Sequence, residues 1–239
     1  MANTKSIDLE RGSSQYLYIS DGDQTGLDIT GDFTIEEWVN IESFATGNNS
    51  LANKWGIVGQ SGYQFRVVFD GSSTYGLKLI VSDDGTNFGS QGEVNWTPST
   101  ATWYHLACVY DASAGSVKFY VNGVQQGTTQ TGLPTSVFNN NQPFVIGVNY
   151  NGGSMAQFWD GKIDEVRVWS DIRTGAEILA NYKKQLVGNE ANLVGYWRFN
   201  DSLLDITSNN NDLSAPNGSA YSTDIPDWAG KGKSFSQII

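Results

Sequence analysis

Apolar and polar positions alternate at period two along most of this chain. The two clearest runs are FTIEEWVNI (residues 33–41) and GKIDEVRVW (161–169), rich in β-branched and aromatic residues near period two, although Ile163-Asp164-Glu165-Val166 breaks the simple alternation. Shorter runs of the same kind fall at 6–9, 15–19, 56–58, 63–69, 76–82, 103–110, 116–121, 124–126, 144–148 and 193–199. Asp70-Gly71, Asp83-Asp84-Gly85 and Asn122-Gly123 separate them, and Asn-Gly is the strongest two-residue hairpin signal. One segment has a different period. Thr174 and Glu177 form a capping box, Ile178, Leu179 and Tyr182 give an apolar stripe, and Lys183 and Lys184 close it, so a helix is predicted over 174–184. Residues 201–219 are rich in Asn, Ser and Asp and read as a loop with a short strand inside. The pattern as a whole predicts an all-β fold, a two-sheet antiparallel sandwich with one short helix packed on it.

Composition narrows the function more than the fold. The net charge is −11 and the Lys and Arg residues form no cluster, which argues against a nucleic-acid partner. Cys108, the single cysteine, can form no intrachain disulfide and reads as a small core residue. No apolar run is long enough to cross a bilayer as a helix, so membrane insertion is not expected. MANTKSIDLE carries no apolar h-region and is not a signal peptide. An extracellular or particle-associated location would then require lysis, another export route or a leader outside this sequence.

Catalytic chemistry finds little support. Glu36-Glu37 and Asp164-Glu165 are adjacent pairs, whose side chains point to opposite faces of a regular strand and cannot act together on a glycosidic bond. His105 lies mid-strand beside no nucleophile, and one His with one Cys cannot hold zinc. GxSxG elbows and P-loops are absent. The expectation is that the protein is not an enzyme. Glu37 shares a face with Phe33, Ile35 and Val39; it reads either as an acid on the wetter face or as the partner of Arg66 or Arg167.

Recognition chemistry is better represented. Sugar C–H faces stack on aromatic rings while amides bond to hydroxyls, and the segment NYNGGSMAQFW offers Tyr150, Asn151, Gln157, Phe158 and Trp159 as glycan-binding candidates. Trp55, after Asn53 and Lys54, and Trp96, after Asn95, are further candidates, whereas Trp38, Trp103, Trp169 and Trp197 fall in strand patterns and read as core. The Asp21–Asp23 and Asp83-Asp84-Gly85 stretches look ligand-like but are ordinary turn chemistry.

The segments FTIEEWVNI, ATWYHLACVYD, VKFYVNGVQQG, PFVIGVN, GKIDEVRVWSDIRTGAEILANY and LVGYWRFND together resemble the laminin-G-like jelly rolls of the concanavalin A-like lectin/glucanase superfamily, over residues 6–213. The resemblance implies a jelly-roll sandwich, but the family spans lectins, adhesion domains, hydrolases and structural material. It also implies a structural calcium ion held by Asp164 with a backbone carbonyl, for which Gly31 is the candidate. Two departures stand out. Glu37 occupies a position where relatives carry a small apolar residue, and LVGYWRFNDSLLDITSNNNDLS comes last where many relatives have it first. The closing KSFSQII echoes Lys5 to Leu9, so the chain divides into a jelly roll over 1–213 and an extension over 214–239 with a strand-like end. That end either folds back on its own sandwich or joins a neighbouring copy through Lys233, Phe235, Ile238 and Ile239, giving a head-to-tail homopolymer. Two functional expectations result: a non-catalytic surface recognition module with a glycan partner and a stabilising calcium, or a subunit of a filament, virion or surface layer whose partners are copies of itself.

Overall fold

The computed structural model describes residues 3–72, 74–86, 90–151 and 154–228. The strands are β1 (Ser6–Leu9), β2 (Leu17–Ile19), β3 (Phe33–Ile41), β4 (Gly47–Lys54), β5 (Tyr63–Phe69), β6 (Tyr75–Val81), β7 (Ser90–Asn95) and β8 (Trp103–Asp111). There follow β9 (Ser116–Val121), β10 (Val124–Thr131), β11 (Phe144–Ile146), β12 (Asn149–Asn151), β13 (Ser154–Ala156) and β14 (Gly161–Trp169). The helix α1 (Gly175–Asn181) precedes β15 (Leu193–Trp197) and β16 (Ala220–Ser222). One sheet runs β10-β9-β8-β3-β14-β1-β16, with β15 also on β14. The second runs β2-β11-β4-β5-β6-β7, and β12 and β13 form a small hairpin. Every strand pair is antiparallel, as the alternation predicts.

The inner faces supply the core. Phe33, Ile35, Val39 and Ile41 of β3 meet Tyr63, Phe65 and Val67 of β5, and Phe33 lies 5.1 Å from the Tyr63 ring and 5.0 Å from that of Tyr110. Cys108 is buried in this cluster, as expected. Two elements differ from the alternation. Residues 56–58 form a turn, closed by Gln60 N–H donating to the Ile57 carbonyl and by Gly59 at φ 89°, and Ile57 and Val58 stand exposed. β4 and β7 are not among the alternating runs because their outer faces carry amides and acids; only Leu51 and Ala52 of β4 and Val94 of β7 reach the core.

β14 carries a bulge. Asp164 pairs with Trp38 and Arg167 with Glu36, so two residues of β14 oppose Glu37 alone. Glu165 takes up the extra length at φ 51°. Ile163 and Val166 both face the core, which puts Asp164 and Glu165 together on the outer face rather than on opposite ones. There Glu165 accepts from Arg167 Nη2 at 3.1 Å, Gln185 Nε2 at 3.1 Å and the Tyr196 hydroxyl. Arg167 donates in turn to the Asn181 and Lys184 carbonyls, which ties the end of α1 to the sheet. Glu36 accepts from Trp169 Nε1 at 2.8 Å and lies 3.3 Å from His105 Nε2. Burial raises the Glu36 carboxyl, but His105, Arg167 and Trp169 outweigh it and hold the group below its usual value. Trp38 and Trp169 therefore belong to this outer layer and not to the sandwich core, where Trp197 does sit.

Glu37 is placed by the same strand on the inner face, fully buried, with neither Arg66 nor Arg167 as partner. Burial pushes its carboxyl up to about 8, with only the Ala52 backbone amide acting the other way.

The chain folds back at its C-terminal side. Ser214 bridges to Tyr18, and β16 pairs with β1. Residues 201–219 contain no strand of their own beyond that bridge. Lys233, Phe235, Ile238 and Ile239 lie outside the described residues.

Because folded Glu37 holds its proton up to about 8, while the unfolded chain releases it near 4.5, the stability this group contributes is complete below the lower value. It is lost as pH rises through the upper one. Unfolding measured from about pH 5 to about pH 9 is expected to decline by up to ~1.4 kcal/mol per pH unit, and Glu37→Met to flatten the profile. Equal slopes in the two proteins would contradict the burial.

Candidate functional site

The outer face of the six-stranded sheet carries an open cleft of about 370 Å³, lined by Asn48, Trp55, Gln64, Arg66, Ile80, Gln91, Asn149, Asn151 and Gln157. Strand alternation builds its floor. In β5, Tyr63, Phe65 and Val67 turn inward and Gln64 and Arg66 turn out; Ser50 of β4 and Lys78 of β6 flank Arg66 in register. The β12–β13 hairpin forms one wall. It is anchored by Ser50 N–H donating to the Gln157 carbonyl at 3.0 Å, with Gln157 at φ 58° turning the chain. Gln64 Nε2 donates to Ser50 Oγ at 3.2 Å, and Gln64 Oε1 accepts from Arg66 Nη1 at 3.1 Å. Two largely buried atoms of the lining, Arg66 Nε and Asn149 Oδ1, have no hydrogen-bond partner among the described residues. Burial lowers the Arg66 guanidinium to about 10, with Glu93 opposing, so it stays charged near neutrality.

The five glycan candidates of the 149–159 segment separate. Asn151 and Gln157 reach the cleft. Tyr150 and Phe158 pack instead with Tyr16, Tyr18, Val145 and Val148 on the far side of the hairpin, and Phe158 lies 6.3 Å from the Tyr16 ring. Trp159 is only 1% exposed and belongs to the main core, so it offers no stacking face. Trp55 does line the cleft, whereas Trp96 is core. Gln64 and Arg66 could have been found from the outward phase of YQFRVVF. Asn48 could not, because its strand is hidden by its polarity.

The calcium candidates do not come together. Asp164 is fully buried and accepts from Asn3 Nδ2 at 2.5 Å and Glu165 N–H at 2.9 Å. Burial, with Glu165 beside it, raises its carboxyl well above the usual range. Its register partner Trp38 is about 17 Å along β3 from Phe33, and Gly31 lies beyond that end. One occupied carboxyl and a distant carbonyl do not fit a six- to eight-oxygen shell. Asp21 and Asp28 instead neutralise the buried Lys54, at 2.5 and 2.9 Å. Asp8, Glu10 and Glu42 form an acidic group, with Lys162 paired to Glu42 and 3.9 Å from Asp8.

A larger groove, about 670 Å³, lies on the outer face of the eight-stranded sheet between Trp38, Trp103, Asn122, Lys183 and Trp228. Asp224 occupies its middle, accepting from Trp103 Nε1 at 2.9 Å and Asn40 Nδ2 at 3.2 Å.

A sequence profile described as the concanavalin A-like lectin/glucanases superfamily matches residues 11–179, most of the chain. The chain belongs to that superfamily. Among curated proteins none matches it in sequence. Solved structures share the fold at low identity. A candidate carbohydrate binding protein from Bacteroides ovatus superposes with a TM-score of 0.70 at 20% identity, over 93% of this chain and 60% of its own. The chain thus spans 60% of that protein's length. A heptameric SAP-like pentraxin from Limulus polyphemus gives 0.66 at 14% identity, over 96% of this chain and 98% of its own. The CBM40 of a Ruminococcus gnavus IT-sialidase, solved with α2,3 sialyllactose, gives 0.56 at 14% identity, over 75% and 98%.

Thermal unfolding in millimolar calcium and in EDTA is expected to give the same midpoint. A calcium-dependent rise that Asp164→Asn removes would restore Asp164 as a ligand.

Proposed function

We propose that this superfamily member is a non-catalytic glycan-binding module whose ligand lies in the cleft over β4, β5, β6 and β7. One observation carries the reading: a preformed cleft lined by six side-chain amides, an arginine and a tryptophan, with no carboxylate among its described lining residues. Sugar hydroxyls both donate and accept, and a side-chain amide offers both roles from one group. The strands fix most of these amides before any ligand arrives, which limits the ordering cost of binding. Asn149 Oδ1 and Arg66 Nε are polar atoms that a ligand would satisfy. Trp55 and Ile80, both buried, shape the floor of the cleft and leave only an edge of apolar surface to it. The absence of a carboxylate pair in the cleft, with Glu36 and Glu165 sealed beneath other groups, supports binding without hydrolysis.

The fold relatives from Bacteroides ovatus and Ruminococcus gnavus, one a candidate carbohydrate binding protein and the other solved with a sialylated sugar, support the same reading. Glycans of this kind are met outside cells and on surfaces, and that is where the module would act. Assembly into a polymer gains no support among the described residues, since β16 of the same chain fills the edge of β1 that a neighbour's strand would need.

A glycan array spanning neutral and acidic oligosaccharides, followed by calorimetry on the best binder, tests the proposal. Asn48→Ala and Asn151→Ala, at the less buried lining positions, are each expected to weaken binding at least tenfold, about 1.4 kcal/mol, with little change in melting temperature. Trp103→Ala, in the other groove, should leave affinity unchanged. The reverse pattern would move the site to the eight-stranded sheet, and an array with no binder would overturn the reading.

A further inference from the structure

Arg66 is a poorly provided-for charge among the described residues. Its residue is 9% exposed, yet its guanidinium makes one hydrogen bond, from Nη1 to Gln64 Oε1, and Nε makes none. No carboxylate lies within ion-pair distance of it among the described residues. The nearest acid to act on it is Glu93, and Lys78 Nζ holds that carboxylate at 2.5 Å. Arg167 shows what the fold does with a buried arginine when the purpose is structural: its Nε is unpartnered as well, but Glu165 at 3.1 Å, two backbone carbonyls and the Tyr196 ring surround the charge. Burying a charge without such a partner is costly, and the chain has 25 acidic residues from which a partner could have been drawn. None is in the cleft lining. A planar guanidinium with free donors, walled by neutral amides, matches a carboxylate in geometry and in charge.

We infer that Arg66 is the anion subsite of the cleft, and that the ligand is an acidic glycan whose sugar carboxylate pairs with it. This rests on the glycan-binding reading above and adds the class of sugar. In the complex the carboxylate accepts from the Arg66 N–H groups that the protein leaves unused, while Gln64, Asn149, Asn151 and Gln157 bind neighbouring hydroxyls. The overall negative charge of the protein repels such ligands at long range, so selectivity comes from the contact and not from steering. Affinity should therefore depend little on salt at distance and strongly on the carboxylate itself.

The test compares matched pairs by calorimetry: a uronic-acid oligosaccharide against its carboxyl-reduced form, a sialylated lactose against lactose, and a sulfated oligosaccharide against its desulfated parent. The expected result is at least a tenfold preference for the carboxylate-bearing member of a pair, lost in Arg66→Gln and only partly kept in Arg66→Lys, which retains the charge without the fork. A second readout needs no ligand. If Arg66 serves binding, Arg66→Met should hold or raise the melting temperature, because it removes an unpaired buried charge. A large drop would mark Arg66 as structural and overturn the inference. Equal affinity for charged and neutral members would also overturn it while leaving the module a glycan binder. A preference confined to the sulfated pair would reject the carboxylate in favour of sulfate. Failure of every pair to bind would count against both this inference and the glycan reading.

Discussion

Much of this structure depends on the extra residue in β14. With Glu165 at positive φ, the strand keeps Ile163, Val166 and Val168 in the core and gains an additional acid on its outer side. That acid anchors Arg167, Tyr196 and Gln185, and through them the segment after α1 and the strand β15. Without the bulge Glu165 would point into the core, as Glu37 does on the neighbouring strand. The sandwich would then carry a second buried acid and lose the anchor for its helix.

The two sheets consequently have different outer faces. That of the eight-stranded sheet is covered beside α1, with Trp38 stacked on Tyr182 and donating to its carbonyl and Arg173 over the ring of Trp169, and is open at the groove around Asp224. Its polar groups are not all matched, since Asn40 Oδ1, His105 Nδ1 and Arg167 Nε have no hydrogen-bond partner among the described residues. The outer face of the six-stranded sheet is left open beside the β12–β13 hairpin, and polar groups there are only partly matched. What distinguishes the cleft is that its unmatched atoms, Arg66 Nε and Asn149 Oδ1, border open space beside neutral amides and no carboxylate. The bulge thus bears on the binding face indirectly, by keeping the covering elements on the opposite side.

The strands that face the core with β-branched and aromatic residues, β3, β5, β8, β9 and β14, were legible from alternation, as was the capped helix. β4 was not, because GNNSLANK shows only Leu51 and Ala52 to the core and spends its polar side chains on the cleft and on backbone support. The same property that makes β4 useful to a binding site hides it from a hydrophobic pattern. The glycan candidates fared according to which side of the hairpin they occupy. Asn151 and Gln157 were identified by composition, but Trp159 was misread because a tryptophan in a Gly- and Asn-rich segment gives no sign of whether it points inward. Asp164 and Glu165 take opposite faces only if the strand is regular; the bulge does leave a trace, because Ile163 and Val166 are three residues apart where strict alternation spaces core positions by two.

β1 and β16 lie side by side and antiparallel, with Ser6 opposite Ser222 and the Ser6 hydroxyl donating to the Asp224 carbonyl at 2.7 Å. Entry to the sandwich and exit from it therefore occur at a single corner. A unit of this shape can be spliced into a surface loop of a host polypeptide, or have its old ends joined and new ones cut elsewhere, without stretching either flank. To a longer chain it is a side branch held at one point, free to turn its cleft outward.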